Sequence, residues 1–170
     1  MKQRSKTAVT AAPTVDILVQ SPLWERQPRA ASTVRRAVAA AAAATAPGPG
    51  EVSVVLTDDA GIRALNREWR KIDKPTNVLS FPGGGAAGAD LPRLFGDIVI
   101  AFETIERESS AESKPFLHRL AHLAVHGFLH LIGYDHENDA DAESMEGLER
   151  RILARLKVPD PYRADKTSNH

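Results

Sequence analysis

The chain has 170 residues, with 22 Lys plus Arg against 22 Asp plus Glu and no cysteine. That length suits one domain with a sizeable core. Balanced charge excludes bulk attraction to nucleic acid or to an anionic membrane, so any basic patch must be local, and the absence of cysteine excludes a disulfide framework and thiol redox chemistry. The opening MKQRSKTAVTAAPTVD has basic residues but no sustained apolar run, which makes it a poor signal peptide. The Ala37–Ala46 tract is too short and too weakly apolar to span a bilayer. A cytoplasmic protein with no membrane partner is expected.

Residues 1–13 read as a disordered basic arm. Val15–Val19 is rich in β-branched residues and predicts the first strand. Pro22 and Pro28 bracket a loop, Ala30–Thr45 predicts a helix on alanine propensity, and the Pro and Gly residues at 47–50 stop it. Val52–Leu56 predicts a second strand, and Thr57 a cap for a helix from Asp58 to about Arg70. On that helix Arg63, Arg67 and Arg70 share one face, with Lys71 and Lys74 just beyond, the strongest basic stripe in a neutral chain. For Arg63 and Arg67 a solvated helix face competes with contact to substrate. Arg70, at the helix end beside DKPTNVLSFP, is the candidate to reach a substrate phosphate.

Asn77–Phe81 predicts a short strand ended by Pro82, and GGGAAGA from Gly83 to Ala89 a flexible loop. A further strand is expected within Phe95–Ala101, then a polar helix to about Glu112. The next helix runs from Pro115 to about Ile132, with Leu117, Leu120, Ala121, Ala124, Val125, Phe128 and Leu131 as its wide apolar surface. The six acids of Glu137–Glu149, followed by Arg150, Arg151, Arg155 and Lys157, predict a final helix matched to its dipole, with Met145, Leu148, Ile152 and Leu156 as the buried stripe. Residues 14–162 are expected to form one α+β domain, a small mixed sheet packed against a helical layer, and residues 163–170 a loose tail.

The stretch with the most chemistry is HGFLHLIGYDH, His126 to His136. His126 and His130 stand at i and i+4, so both imidazoles leave one helix face at neighbouring turns. Gly133 follows where a helix ends in a left-handed residue, which brings His136 round to the same ion. Three neutral imidazoles leave one tetrahedral position open, the pattern of a catalytic zinc site; nickel or cobalt would also suit them. His118 and His122 continue the series backwards, but each step of four drifts by roughly 40°, so the four histidines cannot face one ion. The pair His122 and His126 is geometrically as good; only His126 and His130 lie the right distance before Gly133 and His136. His122 is therefore assigned to substrate or to the surroundings of the metal, and His118 to an ordinary partly exposed histidine. Asp135 is a candidate base, or a carboxylate orienting an imidazole.

The spacing matches the metzincin protease pattern HExxHxxGxxH, except that Gly127 replaces the glutamate base. A bound water with its pKa lowered to about 7 would still serve a reaction needing less proton transfer, such as phosphodiester cleavage assisted by an arginine.

LNREWRKIDKPTNVLSFP, from Leu65 to Pro82, together with HGFLHLIGYDH, resembles the YbeY endoribonucleases, also called rRNA maturation factors. The GDIVI stretch from Gly96 and the DPY ending at Tyr162 are lesser matches. The resemblance implies a metal-dependent enzyme that cuts single-stranded RNA, trims the 3′ end of small-subunit ribosomal RNA and serves ribosome quality control, with ribosomal partners. It implies one Zn2+ on His126, His130 and His136 in a zincin-like central helix, and an essential arginine at Arg70. Arg63, Arg67, Lys74 and His122 are the further candidates for RNA contact. Two rival readings stand beside it: an RNA-binding ribosome-assembly factor with a structural metal, and a zinc metalloprotease, against which Gly127 argues.

Overall fold

The computed structural model describes residues 12–85 and 92–163. The basic arm up to residue 11, most of the predicted glycine-rich loop and the tail beyond residue 163 lie outside the described residues. The elements in order are β1 (Thr14–Val19), a short 3-10 helix (Pro22–Arg26), α1 (Ala30–Thr45), β2 (Glu51–Thr57), α2 (Asp59–Arg70), β3 (Val78–Gly85), β4 (Leu94–Ala101), α3 (Phe102–Ala111), α4 (Phe116–Leu131) and α5 (Asp139–Arg155). Among the described residues this is an α+β fold with a four-stranded mixed sheet in the order β1-β2-β4-β3. The first three strands of that order run parallel, and β3 lies antiparallel to β4 at the edge.

Strand alternation explains the layers. On β4, Ile98 and Ile100 join the main core with α1, α3, α4 and α5, whereas Val99 and Ala101 face the other way and pack with Ile62 of α2 and Leu79 of β3. The helical layer is thus on one face, with α2 covering part of the other. Helix α4 is its centre: Leu120, Ala124, Val125, Phe128 and Leu129 are fully buried.

Three expectations are corrected. Asp58, not Thr57, caps α2, its Oδ1 accepting from Gly61 N at 2.8 Å. Thr57 is the last strand residue, and its carbonyl accepts from the buried Trp24 indole at 2.9 Å. Trp24 itself comes from the stretch expected to be loop and packs edge-on against Phe102 and Phe116. Pro82 does not end β3: the strand continues to Gly85 with a register shift between Pro82 and Gly85. An edge strand tolerates a residue with no N–H to donate, so proline is not the terminator here.

Candidate metal centre and its surroundings

Helix α4 ends as its sequence dictates. Gly133 takes φ +103°, Gly133 N donates to His130 O at 3.2 Å, and Tyr134 N donates to Leu129 O at 3.0 Å. This paired glycine cap turns the chain back over the helix end. The turn brings His136 to the other two imidazoles, so that ligand nitrogens of His126, His130 and His136 all lie within 4.8 Å of one another. The Nε2 atoms of His126 and His130 are 3.0 Å apart. Two nitrogens about 2.1 Å from one tetrahedral ion stand roughly 3.4 Å apart, so the cluster needs only small adjustments to hold one.

The donor chemistry fits as well. Burial first, and then the neighbouring His126 and His136, lower the pKa of His130 and so favour its neutral, ligating form. On the far side of His126, Nδ1 donates to Glu149 Oε1 at 2.6 Å. Glu149 is fully buried and also accepts from His122 Nε2 at 2.9 Å and from the Tyr162 hydroxyl. Burial pushes its carboxyl upward, but the hydrogen bonds from His122, His126 and Tyr162 outweigh that and hold it at about 2. Tyr162 moves the other way: burial and the hydrogen bond to Glu149 raise its hydroxyl well above the ordinary value.

His122, His126 and Glu149 also bring ligand atoms within 4.8 Å of one another, and on distance alone this second group, which contains the alternative histidine pair, could hold an ion. Its contacts are hydrogen bonds of one carboxylate shared by two imidazoles. His122 is only 7% exposed, and its second nitrogen lies 3.5 Å from the Arg119 guanidinium. The ring therefore faces Glu149 and Arg119 rather than solvent. His118 is half-buried, as expected. Asp135 Oδ1 accepts from Glu137 N at 3.2 Å, closing the turn after Gly133.

Glu149 is the residue that sequence reading missed, having counted it among the dipole-matching acids of the last helix. A signal existed. Met145, Glu149 and Ile152 stand at i, i+4 and i+7, which places a carboxylate on the apolar stripe of α5.

Gly127 has a packing reason. A Cβ there would lie 2.8 Å from Ile98 Cγ2 and 3.2 Å from Ser80 Oγ, while the Gly127 carbonyl accepts from Ser80 Oγ at 3.1 Å. This side of α4 is pressed onto β3 and β4, and a glutamate base has no room there.

The arginines lie elsewhere on the fold. Arg63 pairs with Asp73 at 2.9 Å across an exposed surface, and Arg67 is exposed. Arg70 and Lys74 line a small hollow of about 230 Å³ with Asn66, Ile72, Thr76 and Val78. Asn66 shapes it by donating from Nδ2 to Lys74 O at 2.9 Å. Among the described residues Arg70 has no ion-pair partner. Beside it Trp69 stays 64% exposed, its ring 6.3 Å from that of Phe81 on β3. No helix among the described residues is long and apolar enough to cross a membrane.

Fold and cluster together define a class: an α+β protein that presents three imidazoles, from one buried helix and the turn behind it, with a geometry able to hold a metal ion. The family described as Endoribonuclease YbeY matches residues 21–157. Curated relatives named Endoribonuclease YbeY include one from Bradyrhizobium diazoefficiens, 57% identical over 93% of this chain and 89% of its own. Others come from a second Bradyrhizobium, 56% identical over 88% of this chain and 92% of its own, and from Nitrobacter hamburgensis, 55% identical over 89% and 83%. The chain belongs to the YbeY endoribonuclease family. A solved structure from Thermotoga maritima aligns over 89% of this chain and 100% of its own at 24% identity with a TM-score of 0.48, a likeness too weak to carry an argument.

Proposed function

We propose that this chain is a metal-dependent endoribonuclease that cuts single-stranded RNA, acting in ribosomal RNA maturation at the 3′ end of the small-subunit RNA and in ribosome quality control, in the cytoplasm. The observation that carries this reading is the imidazole cluster. His126, His130 and His136 would hold one divalent ion, zinc by ligand type, with α4 as a zincin-like central helix. When bound, the ion supplies Lewis acidity toward a phosphate oxygen and acidifies a water.

The chain's own residues do the rest. His126 and His130 approach from one rigid helix face, and His136 is brought in by the Gly133 turn. Arg70, which has no carboxylate partner among the described residues, balances the charge that grows on the phosphate as the bond breaks. Arg63, Arg67 and Lys74 give the strand a basic approach. The open face of Trp69 offers a platform on which an unpaired base stacks, which suits single strands over duplexes. Without room for a carboxylate at Gly127, the metalloprotease reading loses its base.

Zinc-loaded protein should cut a labelled single-stranded RNA, and His126→Ala or a chelator should stop it, as followed on a denaturing gel. Cleavage that survives in the alanine variant would sink the assignment and point to a contaminating nuclease.

A further inference from the structure

The contacts behind His126 form a continuous chain. His126 Nδ1 lies 2.6 Å from Glu149 Oε1, and Glu149 Oε2 takes His122 Nε2 at 2.9 Å together with the Tyr162 hydroxyl. His122 Nδ1 is 3.5 Å from Arg119, whose guanidinium pairs with Glu108 of α3 at 3.1 Å. Glu108 also accepts from Asn77 Nδ2 at 3.0 Å, just before β3.

Donor and acceptor capacity then decides the protons. An ionised carboxylate only accepts, so each hydrogen bond onto Glu149 must bring its own hydrogen. His126 therefore carries its proton on Nδ1, which leaves the Nε2 lone pair turned toward His130 and His136. His122 likewise carries its proton on Nε2 and accepts from Arg119 on Nδ1. The donors and acceptors of the chain are mutually consistent, with Glu149 Oε2 and Glu108 Oε1 each accepting more than one hydrogen bond, and no buried side-chain nitrogen or oxygen among the described residues lacks a partner. Glu149 comes from α5 and Tyr162 from the segment after it, so two elements remote in sequence from α4 converge behind one imidazole.

We propose that Glu149 is a positioning residue of the metal centre: it fixes the tautomer and aim of His126, and is itself held in place by Tyr162 and His122. The inference rests on reading the histidine cluster as a metal centre. The competing account is a purely structural tie between α4 and α5, in which losing the carboxylate costs stability but leaves metal affinity per folded molecule unchanged.

Glu149→Gln and Tyr162→Phe separate the two. Zinc affinity is measured on the folded proteins by competition with a chromophoric chelator, and the His126 tautomer by 15N NMR of the metal-free, histidine-labelled proteins. Glu149→Gln is expected to weaken zinc binding by about 10- to 100-fold and to lose the Nδ1–H pattern of His126. At saturating zinc it should lower kcat on single-stranded RNA while KM stays within about twofold. Tyr162→Phe should shift the same readouts in the same direction, but only a few-fold. Glu149→Gln that binds zinc as wild type does, or keeps the His126 pattern, overturns the proposal. Where Glu149→Gln does not fold, Tyr162→Phe decides alone: unchanged zinc affinity and an unchanged His126 pattern overturn it. Failure of the wild type to take up zinc would instead overturn the metal-centre reading, and the proposal with it, and is seen before any variant is compared.

Discussion

His126 and Arg70 are the two residues on which the proposed chemistry most depends, and the chain holds them by opposite means. His126 stands on a helix buried on nearly every side, backed by a fully buried carboxylate that three side chains contact. Arg70 is the last residue of α2, exposed, beside a shallow hollow and an open tryptophan. The contrast follows from what each must do. A metal ion demands ligand atoms placed to a few tenths of an ångström, which only packing and an outer hydrogen-bond set can enforce. A flexible polyanion needs a cation free to follow a phosphate, and an exposed arginine pays its ordering entropy only when substrate arrives.

The largest effect is expected at Arg70. Arg70→Ala should lower cleavage about 100-fold while zinc content and thermal stability remain those of wild type. A loss of zinc in that variant would show that Arg70 belongs to the framework after all. Gly127→Glu, which restores the metzincin glutamate, probes the packed end. With Ile98 Cγ2 only 2.8 Å from the added Cβ, it should destabilise the fold by about 3 kcal/mol through overpacking and an unpaired buried acid, seen in denaturant titration, and yield no peptide cleavage. A stable Gly127→Glu protein would mean that α4 is less firmly seated on the sheet than the contacts say.

Smaller effects belong to the open end. Trp69→Ala should raise KM for single-stranded RNA by about tenfold, roughly the loss of one base stack, with kcat little changed; equal loss on duplex and single strand would remove the stacking role. The smallest change is expected at Arg63→Ala. Its pair with Asp73 is exposed and screened, so melting temperature should hold, and only RNA affinity at low salt should show whether Arg63 also meets the substrate.

Local rules account for much of the architecture. Alanine propensity in α1, the β-branched runs of β1 and β2, the glycine cap of α4 and the acid-to-base order of α5 each depend on a few neighbouring residues. Where Pro82 and Thr57 misled, the local rule met a tertiary circumstance. An edge strand does not need the N–H that proline lacks, and Thr57 was drawn into the sheet beneath Trp24 while Asp58 took the cap.

For the site, the histidine spacing and the glycine after it are enough to place three imidazoles at one helix end, because helix pitch and a left-handed turn are local properties. Glu149 lies 23 residues from His126, and nothing in its neighbourhood distinguishes it from the other acids of α5 except its place on the apolar stripe. That it reaches His126, that His122 turns inward, and that Gly127 is glycine because Ile98 lies against it are all decided by how α5, β3 and β4 pack on α4. Those are meetings between distant segments, and only the folded chain arranges them.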